Sequence, residues 1–191
     1  MLHDLVRRCR SYRRFRAGRA VSTATLRRLV DLARLSASAG NKQPIRFLLS
    51  STHERNALIF PHLRWAGYLT DWPGPPPHER PSAYLVILGD NEVTTSVRWD
   101  DAICAWSVLL GATEQGLGGC MIAAFDRPGL RAALAIPDRY EPLLVVALGE
   151  PLETVMIDEV GDDGDIRYWR DPQHVHHVPK RRLDDLIVDF D

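Results

Sequence analysis

Four consecutive residues near the beginning of the sequence, Arg10, Ser11, Tyr12 and Arg13, include three side chains that suit the binding of an anion. An arginine guanidinium stays charged and presents a planar fork of donors to phosphate, and a serine hydroxyl adds a short hydrogen bond. The cluster therefore fits a phosphate or a nucleotide. The alternative is a solvated basic face that binds nothing specific.

A second group of polar residues lies in the stretch SASAGNKQP, at 36–44. Ser38, Asn41 and Gln43 are compact donors and acceptors of hydrogen bonds, and the adjacent Gly40 allows the backbone to approach a planar ligand closely. An ordinary surface loop has the same composition, so this stretch by itself does not identify a site.

A third group lies near the end of the sequence, in HVHHVPKRR. His174 and His176 share a face of an extended segment, but no Cys, Asp or Glu accompanies them at a familiar metal-ligand spacing, so structural histidines are favoured over a metal site. Lys180, Arg181 and Arg182 form a second basic cluster. The two basic clusters could hold one phosphate if the tail returns to the first of them.

No constellation for nucleophilic or hydrolytic catalysis is present. The GxSxG motif is absent, and Cys9, Cys104 and Cys120 have neither CxxC spacing nor an evident histidine partner. The GLGG at 116–119 lies after an expected helix and before an expected strand, the reverse of the order in a dinucleotide-binding fingerprint. If the protein is an enzyme, we expect a cofactor to supply the reactive group.

Length, composition and charge narrow the class of protein. The 191 residues, 45% of them apolar, suffice for one domain with its own core. No stretch approaches the ~20 apolar residues of a membrane span, and an odd number of cysteines suits a reducing compartment. Residues 1–50 hold twelve Lys or Arg against two acids, whereas the remainder is acidic and the whole chain carries -1. The first fifty residues therefore suit an anionic ligand.

The spacing of apolar residues and the positions of Gly, Pro and capping residues predict alternating helices and strands. The expected helices are 4–16, 22–36, 54–60, 100–115 and 128–134, and the expected strands are 45–50, 83–88, 120–124 and 143–148. Asp100 and Asp101 are expected to favour the positive end of the fourth helix. The proline-rich residues 72–81 fit neither a helix nor a central strand. This pattern predicts an α/β or α+β three-layer domain over 1–150, with an acidic extension at 151–191 that must lie against another surface.

Five segments, in order, resemble landmarks of the FMN-dependent nitroreductase family. CRSYRRF at 9–15 is similar to that family's RRSxRxF start, and SAGNKQP at 38–44 is similar to its SAGNxQPW loop. The other segments are GLGGCMIAAFDRPGLRAALAIP, PLLVVALGEPLE and VPKRRLDDLI. The resemblance covers nearly the whole chain and is closest to a small branch with WPGP...ERP and YWRD...HHVPKR segments.

The resemblance implies an α+β sandwich with a mixed central sheet, helices on both faces and a C-terminal arm that wraps the partner subunit of a homodimer. It also implies FMN at the dimer interface. Carried over by position, the cofactor-binding residues are Arg10, Ser11, Arg13, Ser38, Asn41, Gln43, Ile122, Ala123, Ala124, Lys180 and Arg181. The first two would bind the phosphate and ribityl chain, Arg13 the pyrimidine edge, residues 122–124 the ring near N5 and O4, and Lys180 with Arg181 the phosphate again. Two positions depart from the family, Cys9 in place of arginine and Ile45 in place of tryptophan.

The function implied is an oxidoreductase that takes hydride from NAD(P)H through flavin N5 and passes it to a nitroaromatic, a quinone or another oxidised organic acceptor by a ping-pong route. The altered Cys9 and Ile45 positions keep a non-catalytic flavin-binding protein as an alternative. A nucleic-acid or acidic-partner binder using the basic front segment is a remote alternative, because the pI near 6.7 and the lack of a nucleic-acid motif weigh against it. We expect a cytoplasmic enzyme that engages neither nucleic acid nor a membrane.

Overall fold

A four-stranded sheet forms the centre of the computed structural model, which describes residues 1–190. Its strands are β1 (Ile45–Ser50), β2 (Ala83–Asp90), β3 (Gly118–Ile122) and β4 (Tyr140–Gly149), in the order β1-β2-β4-β3. Every residue of β2 is buried, as its nearly continuous apolar sequence predicts. The expected α+β class is confirmed, with one difference in detail: within one chain all three strand pairings of this sheet are antiparallel rather than mixed.

Residues 1–190 contain five α-helices. They are α1 (Leu2–Arg8), α2 (Thr23–Arg34), α3 (His53–Ile59), α4 (Asp100–Glu114) and α5 (Arg127–Ala133). Helices α2 to α5 lie on the two faces of this sheet, and α1 packs against α4. Ser22 caps α2 by accepting a hydrogen bond from the Thr25 amide, and Asp126 caps α5 in the same way from the Gly129 amide. Gly116, at a φ of 71°, ends the turn after α4 as predicted.

The sheet separates two apolar cores. Alternate residues of β2 point to opposite faces, so that Leu85 packs with α2 and α4 whereas Val86 packs with α3 and α5. The second core also contains Phe15, from the segment before α2, and Trp65, from the segment after α3. This arrangement gives the expected three layers.

The first helix is shorter than the predicted 4–16, because it ends at Arg8 and Cys9 already has extended backbone angles. Residues 9–15 run alongside the edge strand β3 instead, with a bridge between Ser11 and Gly119. Cys9 and Phe15 are buried from this extended segment. The three- and four-residue spacing of apolar residues that suggested a helix therefore reflects two separate burial positions.

Residues after β4 form a second, smaller sheet. Its strands are β5 (Val155–Glu159), β6 (Trp169–Arg170) and β7 (His176–Lys180), where β5 pairs with β7 in parallel and β6 with β7 antiparallel. Much of the region 151–190 folds against its own chain, and the wrapping of a partner subunit stays a prediction. Only the residues after β7, 181–190, are exposed throughout.

Two properties of the described residues bear on function. No helix within residues 1–190 combines the length and apolarity that a membrane crossing requires. In the same residues, no cluster of three or more His, Cys, Asp or Glu side chains could hold a metal ion.

Candidate functional site

The extended segment 9–15 is held against β3 by its backbone. The Tyr12 amide donates to the Gly119 carbonyl at 2.9 Å, and the Phe15 amide donates to the Glu79 carbonyl at 2.9 Å. Gly118 permits this close approach, because a Cβ there would meet the Tyr12 ring at 2.5 Å, whereas Gly119 permits close packing against β4, where a Cβ would meet the Ala147 carbonyl at 2.4 Å. The GLGG stretch thus positions the basic cluster rather than a dinucleotide.

Arg13 is fixed by residues of the C-terminal sheet. Its backbone amide donates to the buried carboxylate of Glu153, and its guanidinium donates to Nε2 of His176 at 3.2 Å. The guanidinium carbon also lies 4.9 Å from the centre of the Tyr168 ring. No carboxylate pairs with this guanidinium among the described residues, so its charge remains available to a ligand.

Arg10 and Ser11 lie at the start of the same segment. Arg10 donates through Nη2 to the Val6 carbonyl at 2.7 Å, and its buried Nε has no hydrogen-bond partner within residues 1–190. Ser11 is exposed. Both side chains therefore retain hydrogen-bonding capacity, which fits the expected contact with an anion.

The backbone of residues 122–124 and the Arg13 side chain line one cavity of about 170 Å³. Ala123 and Ala124 follow the end of β3 and are exposed, and the Ala124 carbonyl accepts from the Arg64 amide at 2.9 Å. Four further residues complete much of the wall: Arg64, Met121 and Tyr168, which the sequence did not single out, and Trp65, a residue of the second core. The structure therefore brings four of the predicted residues, Arg13 and 122–124, together.

The loop at 36–44 is anchored from α4. The Ser38 hydroxyl donates to the Asp100 carboxylate, whose other oxygen accepts from the Ala39 amide at 3.0 Å. The same hydroxyl accepts from the Gln43 amide at 2.8 Å. Asp100 is 2% exposed and lies in the first turn of α4, as expected, but α4 has no side-chain cap, and the Asp100 carboxylate stabilises the loop instead.

Asn41 and Gln43 are exposed on this loop and have left-handed backbone angles, with φ values of 54° and 52°. Such angles are costly for residues other than glycine, so the surrounding contacts must impose them. Ser38 and Gln43 line a separate cavity of about 250 Å³ that shares no residue with the Arg13 cavity. Within one chain, the two groups of predicted residues form separate surfaces.

Lys180 and Arg181 are exposed at the end of β7. Within the described chain, neither makes a hydrogen bond or ion pair with Arg10 or Ser11. The tail does return to the basic segment, as expected, but it does so through Glu153 and His176. The role predicted for Lys180 and Arg181 stays a prediction.

A network of buried charges joins the tail to the basic segment. The Glu153 carboxylate accepts from the amides of Arg13 and Arg14 and from Arg170 Nη2, the last at 3.0 Å. Arg14 in turn makes two hydrogen bonds to Glu79, at 2.6 and 2.7 Å, which hold the pKa of that carboxyl below its usual range. In the sequence, this network is represented by the YWRD segment and by the isolated acids Glu79 and Glu153. None of these indicates which residues pair in the fold.

His176 is 1% exposed and belongs to this network. Burial, together with the nearby charges of Arg13 and Arg170, lowers the pKa of His176 to about 4, so the ring is neutral at physiological pH. His177 points to the other side, with Nδ1 2.8 Å from Asp158 and Nε2 3.4 Å from Asp171. Both histidines make contacts within the chain; the structural role predicted for His174 and His176 stays a prediction.

All three cysteines are free and buried. Burial raises the pKa of each thiol, including that of Cys120 in the cavity wall. The Cys9 thiol lies beside Thr113 and is neutral, so it adds no cation near the candidate anion site, where the family has an arginine. None of these thiols has the lowered pKa that marks a reactive cysteine.

Comparison with known proteins adds to this geometry. The model of the nitroreductase family matches residues 6–67 and 82–150. A nitroreductase family protein from Clostridium novyi NT is 20% identical, with a TM-score of 0.65 and coverage of 94% of both chains. An FMN-dependent nitroreductase from Clostridium difficile R20291 is 20% identical, with a TM-score of 0.63, and the match covers 78% of this chain and 86% of that one.

A third solved structure is a nitroreductase from Exiguobacterium sibiricum 255-15 in complex with FMN. It is 17% identical, has a TM-score of 0.65, and the match covers 80% of this chain and 89% of that one. At these identities the structural likeness shows a shared fold.

Proposed function

The chain belongs to the nitroreductase family, and from this premise we propose that it is an FMN-dependent oxidoreductase that uses NAD(P)H to reduce a nitroaromatic, a quinone or another oxidised organic acceptor. The observation that carries the proposal is the placement of the Arg13 guanidinium, free of any carboxylate, in one cavity wall with the backbone of 122–124. A bound FMN would supply the redox chemistry, by accepting hydride at N5 and passing it on in a second half-reaction.

The residues present fit this cofactor. Arg10 and Ser11 are proposed to bind the phosphate and ribityl chain, since the buried Arg10 Nε lacks a partner among the described residues and Ser11 is exposed. The Arg13 guanidinium is proposed to face the pyrimidine edge, where a fixed cation stabilises negative charge. Residues 122–124, which line the same cavity as Arg13, are proposed to bind the ring edge through their backbone and to exclude water there.

We further propose that the site is completed by a second copy of the chain. A cavity of about 170 Å³ is smaller than the ~300–1,000 Å³ of typical ligand pockets. Ser38, Asn41 and Gln43 lie on a separate surface of the same chain, so a partner's loop is needed to bring these side chains to the ligand. Exposed tryptophans at 99 and 106, which are 70% and 38% accessible, also favour a further interface beside α4.

The segment 183–190 is the proposed arm of this homodimer. Its five large apolar side chains are each at least 64% exposed, and Asp184, Asp185 and Asp189 lie among them. A groove of about 770 Å³ between α2 and the edge strand β1 has complementary chemistry, with four arginines, one aspartate and apolar residues. The groove residues are Arg27, Arg28, Val30, Asp31, Arg34, Ile45, Arg46, Phe47 and Leu49. An edge strand offers unpaired backbone groups to such a segment.

Lys180 and Arg181 lie just before this arm. Within the described residues, neither side chain pairs with an acidic group. We propose that they approach the phosphate once the arm is docked on the partner. The cytoplasmic location and the lack of nucleic-acid or membrane partners stay predictions from the sequence.

The decisive experiment is an absorbance scan of the purified protein with added FMN, before and after anaerobic addition of NADPH or NADH. We expect a retained flavin spectrum that bleaches with one donor and returns with a quinone or nitroaromatic. Arg13→Gln should weaken FMN retention, whereas Arg7→Gln, an exposed arginine of α1, is the matched control.

Two other results would contradict the proposal. A flavin that is reduced only by dithionite would favour a non-catalytic flavin-binding protein, the alternative suggested by Cys9 and Ile45. Failure to retain any flavin at all would remove the cofactor assignment.

A further inference from the structure

Arg64 lies in the wall of the Arg13 cavity and is held there by its backbone. Its amide donates to the Ala124 carbonyl at 2.9 Å, and the preceding Leu63 forms a bridge with Phe125. Residues 62–64 thus run antiparallel to the segment that follows β3. This pairing fixes where the Arg64 side chain leaves the backbone, although the side chain itself is exposed at the rim.

The charge of Arg64 is not compensated by the protein. Within residues 1–190, its guanidinium makes no ion pair and no hydrogen bond. Arginines that stabilise the fold do have acidic partners, as Arg14 has in Glu79 at 2.6 Å and Arg170 has in Glu153 at 3.0 Å. The cavity wall contains two guanidinium groups, those of Arg13 and Arg64, and no Asp or Glu. The cavity is therefore suited to an anion.

The remaining walls of the cavity include two aromatic side chains. Trp65 is 9% exposed and adjoins Arg64 in the sequence. Tyr168 is held in place because its ring centre lies 4.8 Å from that of Tyr68 and its hydroxyl accepts from the Tyr68 amide at 3.4 Å. Rigid aromatic walls favour a flat ligand, and the cation at the rim favours one with a negative substituent.

We propose that Arg64 is a specificity-determining residue that selects electron acceptors carrying a carboxylate on a flat aromatic ring. This inference rests on the proposed function, because it takes the cavity as the place where the acceptor approaches the flavin. Arg13 is assigned to the cofactor, and Arg64 is left to bind the acceptor's carboxylate. A guanidinium binds a carboxylate through two parallel hydrogen bonds, a geometry that an amide of the same shape does not reproduce.

The test compares 4-nitrobenzoate with 4-nitrobenzamide, two acceptors of similar shape that differ in charge. We expect the KM for the carboxylate to be lower by about tenfold, the effect of one charge-assisted contact at an exposed rim. Arg64→Gln should bring the ratio of the two KM values close to one, and Arg64→Lys should retain part of it. Arg55→Gln on α3, an exposed arginine outside this cavity, should keep the full ratio.

A binding measurement provides a readout that does not depend on turnover. Benzoate cannot be reduced at its ring by this chemistry, so its affinity for the FMN-loaded protein can be measured by calorimetry, with benzamide as the neutral control. We expect benzoate to bind more tightly, and the difference to shrink in Arg64→Gln and at high salt, since salt screens exposed charges. Equal binding of benzoate and benzamide to the unmodified protein would overturn the inference.

Two further outcomes separate this inference from the proposed function. A protein that retains FMN and reduces quinones, but treats the two nitro compounds alike, would leave the proposed function standing and refute the role of Arg64. If Arg64→Gln instead abolished a preference between NADPH and NADH, the residue would bind the donor's phosphate and the acceptor assignment would be wrong. A chain that takes up no FMN would refute the proposed function, and benzoate binding to it would still decide whether Arg64 binds a carboxylate.

Discussion

Nη1 of Arg13 lies 3.2 Å from Nε2 of His176, although 163 residues separate them in the chain. A guanidinium can only donate, so Nε2 accepts and the neutral ring carries its proton on Nδ1. Within residues 1–190, that buried Nδ1 has no hydrogen-bond partner. The tail therefore orients the arginine that we propose to face the flavin, at the cost of one unsatisfied donor.

Substitution of His176 should weaken FMN binding. His176→Leu removes the acceptor that orients Arg13, and the loss of one hydrogen bond of about 1 kcal/mol corresponds to an increase of roughly fivefold in the Kd for FMN. Flavin fluorescence titration measures this change. His174→Gln is the matched control, because His174 is exposed and lies two residues away. An unchanged Kd in His176→Leu would show that Arg13 needs no such support.

The low pKa of His176 predicts acid sensitivity. The unfolded chain binds a proton on this histidine near pH ~6.5, but the folded chain does so only at about 4. Between these values the unfolded state holds more protons, so stability is lost as the pH falls through this window, by roughly 3 kcal/mol. Urea unfolding at pH 7.5 and pH 4.5 should show a smaller decrease for His176→Gln. Equal decreases in both proteins would refute this origin.

His177 should have the opposite pH dependence. Burial lowers its pKa, but hydrogen bonds to Asp158 and Asp171 outweigh that effect and raise the pKa. Its contribution is therefore complete below the pKa of the unfolded chain and is lost as the pH rises through the higher folded value. His177→Gln should cost more stability at pH 5.5 than at pH 8.5. An NMR titration of the ring should give a pKa above that of an unfolded histidine, and a lower one would contradict the prediction.

The Asp100 carboxylate should be needed for the loop at 36–44. Asp100→Asn replaces one acceptor by a donor that faces either the Ser38 hydroxyl or the Ala39 amide, which should cost about 1–3 kcal/mol of stability. It should also weaken FMN retention, because the loop is proposed to reach the cofactor of the partner. Asp101→Asn in the same helical turn is the control. Thermal unfolding and flavin titration together measure both effects, and two variants of equal stability would argue against the anchor.

Removal of the exposed arm should change the oligomeric state. A chain that ends at Arg182 lacks the apolar and acidic side chains proposed to dock in the groove between α2 and β1. We expect analytical ultracentrifugation to show a shift from dimer toward monomer, accompanied by weaker FMN retention. Met156→Asp, at a half-exposed position of β5, is the control. A shortened chain that stays fully dimeric would refute the role of the arm.

Much of the fold could be predicted from local signals. The β2 strand is nearly all apolar, Ser22 and Asp126 mark helix starts, and Gly116 marks an end, because each of these depends on neighbours in the sequence. The first helix was overextended because Cys9 and Phe15 have helical spacing but are buried from an extended segment. Pairing with β3, a strand more than a hundred residues away in the sequence, favours the extended conformation over the helix.

The candidate site was predicted only in part, for a related reason. Its residue types and their order in the sequence are readable as motifs, and these predict Arg13 and residues 122–124 as cofactor contacts, a role that stays a prediction. Tyr168 and Glu153 were missed as contacts, because the pairing of a residue with a distant partner leaves no local pattern. Asp100 was assigned to a helix terminus since sequence shows its position on the helix but not the loop it faces.

The separation between the basic segment and its tail partners has a consequence for biosynthesis. At about 5–20 residues per second, a ribosome presents Arg13 roughly ten to thirty seconds before His176 emerges. During that interval the nascent chain exposes the basic segment without Glu153, the carboxylate that accepts from the Arg13 and Arg14 amides. Arg13 therefore gains its contacts with Glu153 and His176 only late in elongation.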